Sequence, residues 1–122
     1  MHIEDTDDGE LTTLTWRNDG ENVSITLPSP ADAAYSDPAD VIVAADGDGT
    51  IQVLEADGTR RDRFEYTIPD GCDRYVLVSS IATELGVTMV LAHEPPHRGE
   101  TLWQHEIDLE RRTVGDPVAK WR

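Results

Sequence analysis

The chain has 122 residues, and its 25 Asp and Glu stand against 10 Lys and Arg, a formal net charge of −15. That balance leaves no phosphate-neutralising surface of the kind on which nucleic-acid affinity rests. No apolar run approaches the roughly 18 residues of a membrane helix, and the single cysteine, Cys72, excludes an intramolecular disulfide.

Residues 1–10 hold five acids and little to bury, which predicts an acidic, frayed lead-in to one β-rich domain over 11–122. The opening Met1-His2-Ile3-Glu4-Asp5 has neither the basic region nor the apolar stretch of an export signal, so a cytoplasmic protein is expected. Runs rich in β-branched and aromatic residues follow at 11–17, 22–27, 40–45, 50–56, 61–68, 74–80, 87–93 and 101–109, and each reads as a strand. Turn chemistry separates them at Asn18-Asp19-Gly20, Asp46-Gly47-Asp48-Gly49, Asp57-Gly58, Pro69-Asp70-Gly71 and Pro95-Pro96. Asp57-Gly58 predicts a type I′ hairpin that sets Glu55 opposite Arg60, Leu54 opposite Arg61, Val53 opposite Asp62, Gln52 opposite Arg63 and Ile51 opposite Phe64. Short helices are expected at 30–35, behind the capping Ser29 and Pro30, and at 81–85, closed by Gly86. The expected fold is mainly β: a single antiparallel sandwich or partly open barrel with one or two short helices, α+β being the alternative.

Charge is unevenly spread. Up to Gly58 fourteen acids face the lone Arg17, and beyond it eleven acids face nine bases. The near-neutral second half is a candidate partner surface, with Trp103, Trp121, Arg111 and Arg112 as its residues; the competing reading has these arginines opposite carboxylates on neighbouring strands. Trp121, next to the C-terminus, suits a subunit interface.

Metal-type ligands gather in His93-Glu94-Pro95-Pro96-His97, followed by His105, and imidazole with carboxylate suits a divalent ion such as zinc or iron. A hairpin about that turn pairs His105 with Met89, roughly 13 Å along the strand from His93, which counts against His105 as a ligand. No cofactor is predicted beyond that divalent metal. Asp46-Gly47-Asp48-Gly49-Thr50 opens like an EF-hand loop, but Ile51 and Asp57 stand where it needs Gly and Glu, so an acidic turn is expected. Cys72 lies beside carboxylates that raise a thiol's pKa, and no nucleophile motif or phosphate loop is present.

The stretch Ile81-Ala82-Thr83-Glu84-Leu85-Gly86-Val87-Thr88 resembles the first helix and turn of a helix-turn-helix, but a recognition helix from Thr88 would offer Met89, Val90, Leu91 and Ala92 to the bases, so nucleic acid is not an expected partner. Residues 46–68 and 103–114 resemble blade hairpins of NHL and quinoprotein-type β-propellers, a resemblance that implies the local strand pattern. Near absence of lysine beside abundant Asp, Ala, Val and Gly resembles the small acidic proteins of salt-in halophilic archaea. In such a cytosol a Debye length of about 3 Å screens the repulsion and hydrated carboxylates maintain solubility. Two functions are expected from different classes: a non-catalytic binding or protein-interaction domain, including self-association, and a metal-dependent enzyme or metal-binding protein using His93, Glu94 and His97.

Overall fold

Consecutive runs of β-formers joined by short turns favour hairpins, and the computed structural model, which describes residues 1–121, consists of them throughout. Eleven strands are present among the described residues: β1 (Glu4–Asp7), β2 (Leu11–Asn18), β3 (Glu21–Pro28), β4 (Asp32–Ser36), β5 (Val41–Ala45), β6 (Thr50–Leu54), β7 (Arg60–Glu65), β8 (Cys72–Ser79), β9 (Val87–His97), β10 (Glu100–Asp108) and β11 (Thr113–Lys120). They form three antiparallel meanders, β1-β2-β3, β4-β5-β6-β7 and β11-β10-β9-β8. There is no closed barrel and, among the described residues, no helix.

The second sheet is the middle layer. Val41-Ile42-Val43-Ala44-Ala45 is apolar at every position, the mark of a strand covered on both faces. Val41, Val43 and Ala45, with Ile51, Val53 and Phe64, pack on Leu77, Val87, Met89, Leu91 and Ile107 of the third sheet. Ile42, Ala44 and Leu54 turn the other way, onto Leu14, Trp16 and Leu27 of the first. Trp16 is buried and its indole Nε1 donates to the Ala56 carbonyl at 2.7 Å, tying the first sheet to the β6–β7 turn. Between the second and third sheets the edge strands β4 and β8 are joined by Asp32, whose carboxylate accepts from Arg74 and, at 2.7 Å, from the Leu77 amide. Burial pushes that carboxyl above the usual range, while the Leu77 amide and the Arg74 guanidinium pull it down.

Several sequence expectations are corrected. Within the acidic lead-in, residues 4–7 pair with β2, and Asp7 accepts from the Ser29 hydroxyl and Gly9 amide and Asp8 from the Glu10 and Leu11 amides. The expected helix at 30–35 is strand β4, since Asp32 is drawn to Arg74 and Ala34 and Ser36 are buried in the sheet. At 81–85 the chain makes a turn and bends, closed by Ser80 N–H donating to the Gly86 carbonyl at 2.8 Å, with Ile81 in solvent and only Leu85 packed on the core, too little apolar surface to hold a helix. Residues 87–93, expected as a strand, lie within β9, where the helix-turn-helix resemblance would have needed a helix.

The β6–β7 register holds for Ile51↔Phe64, Gln52↔Arg63 and Val53↔Asp62, then slips so that Leu54 meets Arg60. Only Gly58 of the turn has positive φ, at 91°, so the turn is not type I′, and the bulge it introduces brings Arg61 to Glu55 at 2.7 Å. Asp46 closes its acidic turn by accepting from the Asp48 and Thr50 amides at 2.9 and 3.2 Å.

Candidate functional site

The third sheet carries the histidines and Trp103 on one face and Trp121 against the other. On the face turned to the core, Leu91, Met89 and Val87 of β9 share a side with Trp103, His105 and Ile107 of β10. The register sets His105 opposite Met89, as the hairpin requires. Nevertheless His93 Nε2 lies 2.9 Å from His105 Nε2, the two rings meeting end to end with centroids 5.1 Å apart and planes 22° from parallel. The separation expected from Cα positions ignored the reach of two imidazoles that lean along a twisted sheet.

The Pro-Pro segment adds to this convergence. Between Ala92↔Leu102 and His97↔Glu100, β9 spends five residue steps where β10 spends two. The extra residues arch outward and return His97 to within 5.5 Å of the His93 ring. His97 sits edge-on to Trp103 at 4.9 Å, and the Trp103 indole is held by the His97 and Glu100 carbonyls, each at 3.0 Å. Trp103 is therefore a buried wall of the histidine cluster. Glu94 leaves the group: its side chain is exposed and its amide donates to the Gly71 carbonyl at 2.7 Å.

His105 is completely buried, and its Nδ1 lies 2.8 Å from the Gly115 carbonyl. A carbonyl can only accept, so Nδ1 carries the proton and the neutral ring offers a lone pair at Nε2. His93 Nε2–H is then the donor of the pair. β11 is irregular around this position, with register shifts on either side of His105, which is how Gly115 comes to face the ring. Burial and then the His105 and His97 imidazoles hold His93 below the ordinary imidazole range; burial also lowers His105, against the upward pull of the Gly115 carbonyl and Asp116. Cys72 is the cross-strand neighbour of His93, and burial, then Asp73, pushes its thiol up, so it stays protonated. Among the described residues no three His, Cys, Asp or Glu side chains converge as a metal-holding group.

This arrangement fixes a pH response. The unfolded chain takes up protons on its histidines near pH 6.5, whereas His93 and His105 resist them in the folded state. Stability is thus at its full value above about pH 6.5 and falls as the pH drops below it. Unfolding midpoints measured between about pH 7.5 and 5 are expected to decline in the parent and to flatten in His93→Gln.

The opposite face of the third sheet is covered in part by Tyr75 and Trp121, whose rings meet at 5.4 Å. Beside them an open groove of about 900 Å³ is lined by Met1, Tyr35, Pro38, Val78, Ile81 and Trp121 among others. Arg111 and Arg112, placed with these tryptophans by the sequence, lie elsewhere on the β10–β11 turn: Arg112 bonds Asp62 at 3.1 Å and Arg111 approaches Asp108 at 3.9 Å. Sequence reasoning missed Tyr75, Ile81 and Gly115, and no local pattern marks them, because each acquires its place from strands remote in sequence. No helix among the described residues is long and apolar enough to cross a membrane. No family model, curated protein or solved structure matches the chain.

Proposed function

We propose that this protein is a non-catalytic interaction module of a high-salt cytosol, and that its partner is a second copy of the chain engaged through the outer face of the third sheet. A stack of three sheets leaves two outward faces. That of the first is lined by Thr13, Thr15, Ser24 and Thr26, which pair with one another by hydroxyl contacts and are content in water. That of the third carries Tyr75, Val78, Trp121 and, on the adjoining loop, Ile81, whose side chain stands wholly in solvent. The groove there, apolar at Met1, Pro38, Val78, Ile81 and Trp121 and polar at Asp37, Ser79, Ser80, Thr83 and Gln104, is the observation that carries the reading.

Charge favours a like partner at that face. Residues 71–122 hold eight acids and six bases, whereas residues 1–70 hold seventeen acids and four bases. Pairing two copies there brings the less acidic portions together beside Met1, Tyr35 and Asp37, and molar salt screens what repulsion is left. Light scattering in about 2 M KCl is expected to give twice the chain mass. Ile81→Asp and Trp121→Ala are each expected to weaken association at least about tenfold, roughly 1.4 kcal/mol. A monomeric parent, or a dimer indifferent to both substitutions, would overturn the reading.

A further inference from the structure

We propose that the outer edge of β3 is a strand-addition site for an acidic, extended segment of a partner protein. Of the six edges of the three sheets, the other five are covered or blunted. β4 and β8 cover one another through Asp32, Arg74 and Leu77. β1 has four residues, three of them acids; five of the six residues of β7 are charged; and β11 is interrupted by register shifts and Pro117. β3 has none of these devices: its eight residues pair with β2 without a shift, and Asn22 to Leu27 carry no charge. Ser29 N–H donates to the Glu10 carbonyl, one step past the Leu11↔Pro28 pair, so the alternation of an antiparallel ladder turns the amides and carbonyls of Asn22, Ser24 and Thr26 away from β2. The Pro28 carbonyl, also outward, accepts from Gly47 N–H and closes the edge at that end. Over residues 22–27 no other described strand pairs with it.

The ground beneath this edge selects the partner. The two ends of β3 are pinned to the two turns that bound β6: Pro28 to Gly47, and Val23 to Gly58, where an added Cβ would meet Val23 Cγ1 at 2.9 Å. β3 therefore lies along β6, while β2 packs on β5 and touches β4, so the open edge points toward β7, the strand of the second sheet that the first does not cover. Arg60, Arg63 and Glu65 stand opposite Leu54, Gln52 and Thr50, on the side of β7 turned toward the first sheet, and all three are exposed. Glu65 lies at the closed end, where Tyr66 N–H reaches the Gly49 carbonyl; Arg60 and Arg63 lie beneath the open stretch. Residues 1–70 hold seventeen acids and four bases, yet among the described residues neither Arg60 nor Arg63 has a carboxylate partner. A strand added to β3 lies over β7 and turns alternate side chains toward these two guanidiniums, which carboxylates at alternate positions would satisfy. In molar salt the repulsion of the surrounding acids is screened beyond about 3 Å, and pairs in contact decide the choice.

The probe is the end-blocked peptide Val-Thr-Glu-Thr-Glu-Thr-Val, which as a strand turns Val and Glu to one side and Thr to the other. It is titrated into the full chain in about 2 M KCl and followed by amide NMR. Saturable shifts and slowed hydrogen exchange are expected at the Asn22, Ser24 and Thr26 amides, which exchange freely without peptide. Replacing both Glu of the peptide by Lys, or combining Arg60→Ser with Arg63→Ser in the protein, is expected to weaken binding at least about fivefold. Ser24→Pro removes the central amide at an edge position that tolerates proline and is expected to abolish binding. A peptide N-methylated at alternate residues cannot pair and gives the same answer without altering the protein. No shift at the three amides, equal binding of the Lys peptide, unchanged binding of the N-methylated one, or a free protein whose β3 edge is already protected by self-pairing would each overturn the proposal.

Discussion

Asp32→Ala is expected to cost about 3 kcal/mol of stability, the lower end of the range for breaking a buried ion pair from one side. The Asp32 and Arg74 side chains are only 18 % and 14 % exposed, and the carboxylate also receives the Leu77 amide. Its removal leaves a guanidinium with only the Pro30 carbonyl at 2.8 Å and a strand amide with no acceptor, at the edge where β4 meets β8. Because the pair is sheltered, molar KCl should not mask the loss. Denaturant unfolding in about 2 M KCl measures it. The double variant Asp32→Leu, Arg74→Met is expected to recover much of the difference, since no unpaired charge remains. A single variant as stable as the parent would mean that apolar packing alone holds the second and third sheets together.

Gly47→Ala is expected to be comparably damaging, at about 3 kcal/mol, for a steric reason. A Cβ at this position would lie 2.0 Å from the Ser29 carbonyl oxygen and 2.5 Å from its carbon, both main-chain atoms. The Gly47 amide also donates to the Pro28 carbonyl at 3.0 Å, so the turn cannot retreat without giving up that bond. The contact joins the β5–β6 turn to the segment leaving β3, and its loss should loosen the first sheet from the second. Gly20→Ala separates this clash from conformational strain: Gly20 has φ of 81° but open space around it, and about 1 kcal/mol is expected there. Thermal unfolding of both variants beside the parent decides the matter; equal losses would show that the Ser29 contact yields.

The sequence was most legible where a local rule acted alone. Two-residue turns and alternating strands located eight of the strands, and the β6–β7 pairing was right up to the bulge that Gly58 introduces. It failed where a residue serves something distant. Asp32 looks like the acid of a helix first turn, yet its partners are Arg74 and Leu77. The strand β11 contains Gly115 and Pro117, which argue against a strand in the middle of a sheet but are tolerated at the edge it occupies. Of its neighbours, Arg112 bonds Asp62 of β7, whereas the exposed Arg111 only approaches Asp108 within its own turn. The histidines show the same limit from the other side: the register was legible, but side-chain direction across a twisted, arched hairpin was not.

Every ladder in the molecule joins strands that are consecutive in the chain. No strand waits for a partner made much later, so most of the entropy of chain closure is spent on short loops. For an all-β protein this is an unusually local wiring. Each meander can assemble while the next is still unformed, and the docking of finished sheets is the one step that must bring distant residues together. The same wiring makes the meander a natural unit of lengthening: another hairpin pair added after β11 would extend the stack without rethreading anything already in place.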